Sequence, residues 1–175
     1  MWFLVSEHVS RQPFPRFASL GKNPPSLVLE APHAVYADMT LREKQTALIA
    51  RFSIIEDAQE RLAAIVSRGR KWPAPTDAEK TETNRVRGCV SRVWLVGTVE
   101  NARCHFHMAA DSPLVQGLAA LLCELYDGAQ VDEIAAVDPE IFESLGLARQ
   151  LSPTRLNGLA NVGRTIREFA AAHSI

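Results

Sequence analysis

Residues 90–109, VSRVWLVGTVENARCHFHMA, constrain the fold more than any other part of the chain. Val, Trp and Leu crowd the first half, and in the second half Cys104, Phe106 and Met108 alternate with His105 and His107, a period of two that belongs to a half-buried strand. The intervening ENA reads as a short turn, so the two runs form an antiparallel hairpin. A two-stranded hairpin alone is only marginally stable, so this sheet requires a further strand or covering helices.

The rest of the chain supplies the cover. Thr40 and Glu43 form a capping box at the head of one helix, with Leu41, Leu48, Ile49 and Phe52 on its apolar face. After a break near Ser53, Ile54, Ile55, Ala58, Leu62, Ile65 and Val66 repeat the pattern until Gly69 and the prolines at 73 and 75 stop it. Three more helices follow the hairpin. Ser112–Pro113, Asp138–Pro139 and Ser152–Pro153 mark their starts, and Gly128 and Gly146 end the first two. Their buried stripes hold Leu114, Leu118, Leu121, Leu122 and Leu125, then Leu156, Leu159, Ile166 and Phe169.

The expected fold is therefore α+β, with a small antiparallel sheet of about three strands flanked by helices. Residues 1–39 contain five scattered prolines and no sustained helical period, so they read as an irregular N-terminal extension ahead of a domain over 40–175. The extension is poor in acids and carries Arg11, Arg16 and Lys22. An organelle transit peptide is one reading of it, and a natural start at Met39 another.

With 47% hydrophobic residues over 175 positions, the chain is rich enough to build one core, and its net charge of −1 gives no global attraction to nucleic acid or anionic membranes. No apolar run approaches the roughly 20 residues that span a bilayer. The three cysteines are odd in number and widely spaced, which fits a reducing, cytoplasmic setting rather than a disulfide framework. Phosphate-binding glycine loops, the H-E-x-x-H helix and the G-x-S-x-G elbow are all missing.

The chemistry falls to the cysteines and histidines. Cys123 lies mid-helix among leucines and Cys104 shares the packed face of the hairpin, so both read as small core hydrophobes. His105 and His107 share the opposite face, where solvation is the simplest expectation. A zinc or cluster site using them with Cys89 or Cys104 is the rival one. Cys89 is different: it follows Gly88 in a polar loop, with Arg85, Arg87 and Arg92 near in sequence and able to stabilise a thiolate. No general base or oxyanion hole is marked, which disfavours a cysteine hydrolase. Exchange of sulfur between thiols demands mainly access and orientation.

The segment NRVRGCVSRVW resembles the N-x-V-x-G-C-x-S-x-V-W pattern of the SufE/CsdE sulfur acceptors, at Asn84, Val86, Gly88, Cys89, Ser91, Val93 and Trp94. Three blocks add to the resemblance in the same order: DAQERLAAIVSRGR, ADSPLVQGLAALL and FESLGLARQLSPTRLNGL. It covers about residues 41–172. The resemblance implies a SufE/IscU-like fold and a sulfurtransferase-type accessory protein rather than a stand-alone enzyme. Cys89 would accept persulfide sulfur from a SufS/CsdA-like cysteine desulfurase and pass it to an iron–sulfur scaffold complex, and docking of the protein would stimulate the desulfurase. It also implies a mobile loop over residues 84–92, and supporting roles for Arg87, Gly88, Ser91, Asp111 and Arg155 in docking or transfer. The only modification implied is a transient persulfide on Cys89. The desulfurase uses pyridoxal phosphate, whereas this chain is expected to bind no cofactor, metal, nucleic acid or membrane. Where the family pattern reads D-W-x-x-R-Y the chain has Asp57, Ala58, Arg61 and Leu62, and Pro113 replaces the acid of D-S-D.

Overall fold

The computed structural model describes Tyr36 and residues 39–174. Nearly all of the N-terminal extension, residues 1–39, thus lies outside the described residues, and so does the transit-peptide reading of it. The elements run α1 (Leu41–Ser53), α2 (Ala58–Gly69), β1 (Val93–Glu100), β2 (Arg103–Ala110), α3 (Pro113–Tyr126), α4 (Val131–Ala136), α5 (Ile141–Ser144), a 3-10 turn (Ala148–Gln150) and α6 (Pro153–Ala171). This is the expected α+β arrangement.

Local chemistry accounts for most of the starts. The Thr40–Glu43 capping box is present in both directions, and Asp57 caps α2 by accepting from Gln59 N and Glu60 N at 2.9 and 2.8 Å. Ile54 and Ile55 accordingly precede α2 instead of joining it; Ile55 is buried and Ile54 exposed. Arg61 bolts this junction, its guanidinium donating to the carbonyls of Phe52, Ile55 and Leu145. Beyond α3 the structure departs from the expected single helix from Asp138. A short helix, α4, comes first, and α5 starts only at Ile141 behind Glu140. Six- and four-residue helices are too brief for a 3.6-residue period to register in a sequence, and tertiary packing of Ile134, Ile141 and Phe142 holds them.

The hairpin pairs Val93 with Ala110 through Glu100 with Arg103, and Asn101 and Ala102 turn it with φ of 51° and 61°. Positive φ at both turn residues gives the primed turn whose twist suits the strands. Its inner face carries Val93, Leu95, Cys104, Phe106 and Met108, all buried against the helices. Gly97 belongs to the same face, and a Cβ there would fall 2.7 Å from Phe169 Cζ. The bare glycine therefore seats Phe169 of α6, which meets Phe106 edge to face at 5.6 Å.

The free edge of β2 is capped along its length. Met108 N donates to Pro73 O, Phe106 N to the Asp127 carboxylate, Cys104 N to Ala129 O and Ala110 N to Gln116 Oε1. On the other side of β1, residues 84–86 take the place of a third strand. Val86 N donates to Val93 O at 2.8 Å and Leu95 N to Asn84 O at 2.9 Å, a single bridge between Arg85 and Trp94. The sheet is thus two strands plus a bridge rather than three full strands.

α3 runs through the middle, packed on α1, α2, β2 and α6, and every residue from Gly117 to Tyr126 is buried. That includes Glu124, which accepts from Arg68 Nε at 2.8 Å and Arg68 Nη2 at 2.5 Å and lies 3.6 Å from Arg51 Nη1. Sequence periodicity places the leucine stripe of this helix correctly and gives no sign of the buried carboxylate.

Candidate functional site

The bridge at residues 84–86 closes the base of a loop. Between Val86 and Val93 the chain makes an excursion that returns to the same point of β1, and a second clamp reinforces its neck. Arg92 N and Arg92 Nε donate to the two Asp111 carboxylate oxygens at 3.0 Å each, and Asp111 N returns a bond to Arg92 O at 3.2 Å. The paired guanidinium holds the Asp111 carboxyl below the usual carboxylate range, and Arg92 also lies over the Trp94 ring at 5.5 Å. Asp111, expected to support docking or transfer, is thus a neck residue of this loop.

Cys89 sits at the tip, and the tip folds onto α6. The Cys89 thiol donates to Gly158 O at 3.2 Å, and Asn161 Nδ2 donates to Gly88 O at 3.1 Å. Gly158 and Asn161 are three apart in α6 and so share a helix face. Gly88 has φ +76°, the left-handed conformation that glycine adopts at least cost. Cys89 is half-buried, whereas the next residue, Val90, is 84% exposed. The other two cysteines are buried.

Burial pushes the Cys89 thiol above its ordinary pKa. The sequence-based expectation that Arg85, Arg87 and Arg92 stabilise its thiolate is therefore corrected. Arg85 turns back to Glu82 at 3.1 Å and Arg92 is engaged by Asp111, so desolvation decides the sign. In this conformation burial disfavours the thiolate. Cys104 and Cys123 are raised by the same cause and lie in the core.

Of the remaining expected residues, Arg87 is exposed on the loop and Ser91 half-buried within it. Arg155 is exposed in the first turn of α6, one turn before Gly158, and so adjoins the face that receives Cys89. His105 is paired with Asp127 at 3.4 Å and His107 is exposed. Among the described residues no three His, Cys, Asp or Glu side chains converge to hold a metal ion. Gly158 and Asn161 escape sequence reasoning. The sole signal is a glycine inside a helical period, which costs helix stability and usually has a packing reason.

A lone accessible thiol, sheltered on a clamped loop between a minimal sheet and a helix, defines a small α+β thiol-bearing domain. Comparison with known proteins carries this further. The family model described as SufE, Fe-S metabolism associated domain, matches residues 46–170. The chain is 37% identical to a SufE-like protein of Rhizobium etli over 128 residues, 70% of this chain and 86% of that one. It is 32% identical to SufE-like protein 1, chloroplastic/mitochondrial, of Arabidopsis thaliana, over 87% of this chain and 42% of that one. The solution structure of a hypothetical protein from Thermus thermophilus superimposes with a TM-score of 0.63 at 21% identity, covering 74% of this chain and 94% of that one. The chain belongs to the SufE family of iron–sulfur metabolism domains. No helix among the described residues is long and apolar enough to cross a membrane.

Proposed function

We propose that this protein is a sulfur acceptor and carrier in iron–sulfur cluster assembly. It takes sulfane sulfur from a cysteine desulfurase onto Cys89 and delivers it to a scaffold complex. The observation that carries the reading is the display of Cys89: of three thiols it alone is accessible, at the tip of a loop clamped at its neck.

The chemistry balances without an external oxidant or reductant. The Cys89 thiolate attacks the outer sulfur of the partner's cysteine persulfide. The new S–S bond forms as the old one breaks, the partner's cysteine leaves as a thiolate, and Cys89 becomes a persulfide. Delivery repeats the exchange with an acceptor thiolate. A carrier needs neither a general base nor a second, resolving cysteine near its thiol, and the buried Cys104 and Cys123 do not offer one. Arg87 and Val90 are exposed on the loop and Arg155 in the first turn of α6, and a desulfurase that docks over Cys89, stimulated in the same encounter, would meet them. Pyridoxal phosphate stays with that partner.

Incubation with a cysteine desulfurase and cysteine, followed by intact mass measurement, is expected to show one added sulfur that maps to Cys89 and disappears in Cys89→Ser. Sulfur found on Cys104 or Cys123, or undiminished loading of Cys89→Ser, would sink the proposal. Undiminished stimulation of the desulfurase by Cys89→Ser, with loading lost, would separate activation from carriage.

A further inference from the structure

We infer that Asn161 is a positioning residue that latches the Cys89 loop onto α6, so that the thiol reacts only from the unlatched loop. This inference rests on the carrier reading for its purpose, though not for its geometry.

Two polar contacts join the loop tip to the helix. One is the Cys89 thiol donating to Gly158 O at 3.2 Å, and the other is Asn161 Nδ2 donating to Gly88 O at 3.1 Å. They respond differently to the chemistry. When Cys89 ionises, the first bond loses its proton, and the sulfur then presents a negative charge to a carbonyl oxygen. A thiolate in this seat is repelled as well as desolvated. The Asn161 amide does not titrate and keeps its bond. It therefore holds the resting loop while the thiol stays protonated, and this one neutral bond is outweighed once the ionised sulfur is repelled from its seat.

The fit of the latch is specific. The Asn161 amide lies against the bare Cα of Gly88, where a Cβ would stand 2.5 Å from Nδ2. The φ of +76° at Gly88 aims its carbonyl at α6. Asparagine is a poor residue for the interior of a 19-residue helix, and the bond it makes here is exposed, so helix propensity and core packing do not account for it. The neck, held by Asp111 and by the Val86–Val93 bond, lets the tip swing while β1 stays paired.

The test is alkylation of Cys89 by iodoacetamide in the full chain, without partner, from pH 6 to pH 10, comparing wild type with Asn161→Ala and Asn161→Leu. The charged groups on the two facing elements are Arg85, Arg87 and Arg92 on the loop and Arg155, Arg164, Arg167 and Glu168 on α6, with Asp111 at the neck. Neither variant alters any of them. Loss of one hydrogen bond from the resting loop is expected to speed alkylation about twofold to tenfold below the thiol's pKa, with the gap narrowing at alkaline pH as the thiolate leaves its seat unaided. The melting temperature should hold or rise, because both replacements favour helix. Unchanged or slower alkylation, or an acceleration undiminished at high pH, would overturn the latch. Because alkylation needs no desulfurase, faster alkylation with no sulfur loading would instead overturn the carrier reading and leave the latch standing.

Discussion

Replacing Glu124 with alanine should cost more stability than almost any other single change. Its side chain is 4% exposed and accepts two bonds from Arg68, while the Arg51 guanidinium, 6% exposed, stands 3.6 Å away. Removing the carboxylate withdraws the counter-charge that both guanidiniums approach in the middle of the fold. Breaking a buried ion pair from one side costs about 3–5 kcal/mol. A domain of this kind has roughly 5–15 kcal/mol in total. Urea unfolding followed by circular dichroism is the assay. With a slope near 2 kcal/mol/M, a loss of about 3 kcal/mol lowers the midpoint by about 1.5 M. The companion variant Arg51→Met/Arg68→Met/Glu124→Leu removes the charges together, and is expected to unfold near or above the wild-type midpoint, since apolar replacement of a buried ionic cluster is commonly neutral or stabilising. A midpoint shift below about 0.3 M for Glu124→Ala, or a triple variant as damaged as the single one, would refute the reasoning.

Three further outcomes follow from the loop. Gly88→Ala meets the Asn161 amide and a left-handed φ together, a strain of about 1–2 kcal/mol on the backbone alone, so its Cys89 should alkylate several-fold faster at pH 7 while the melting temperature moves little. Because burial raises the Cys89 pKa, its folded-state alkylation rate should climb through a midpoint above the ordinary thiol value of about 8.5, and fall back to that value in denaturant. A folded midpoint at or below the denatured one would contradict the sheltered thiol. Asp111→Asn weakens the neck by removing the charge that Arg92 pairs with. Amide exchange at residues 87–92 should therefore accelerate, whereas equal exchange in both proteins would show that the neck does not depend on that charge.

The sequence carried most of the frame because most of the frame is local. The β-branched run and the period of two on either side of the ENA turn, the Thr40–Glu43 box and the Ser152–Pro153 start each report chemistry between residues a few positions apart, and each stands in the structure where the pattern placed it. Of the short helices after α3, α5 falls inside the span expected from Asp138 to Gly146 but starts later, and α4 was not legible, since each is shorter than the two turns a helical period needs. The third strand was legible only as a need for cover, and the fold met that need with one bridge and with caps on β2.

For the site, the sequence by itself singled out Cys89, its glycine and its loop, and set Cys104 and Cys123 aside as core. It did not determine the sign of the thiol's pKa. Neighbouring arginines in the chain suggested a stabilised thiolate; in the folded protein Glu82 and Asp111 engage two of them, and burial pushes the thiol up instead. Nor did it show that the thiol's partner is a carbonyl 69 residues away, or that Glu124 pairs with Arg51 and Arg68 inside the core. Electrostatics and desolvation act through space, so what decides them is which distant segments the fold brings together. Periodicity and capping act along the chain and can be read there.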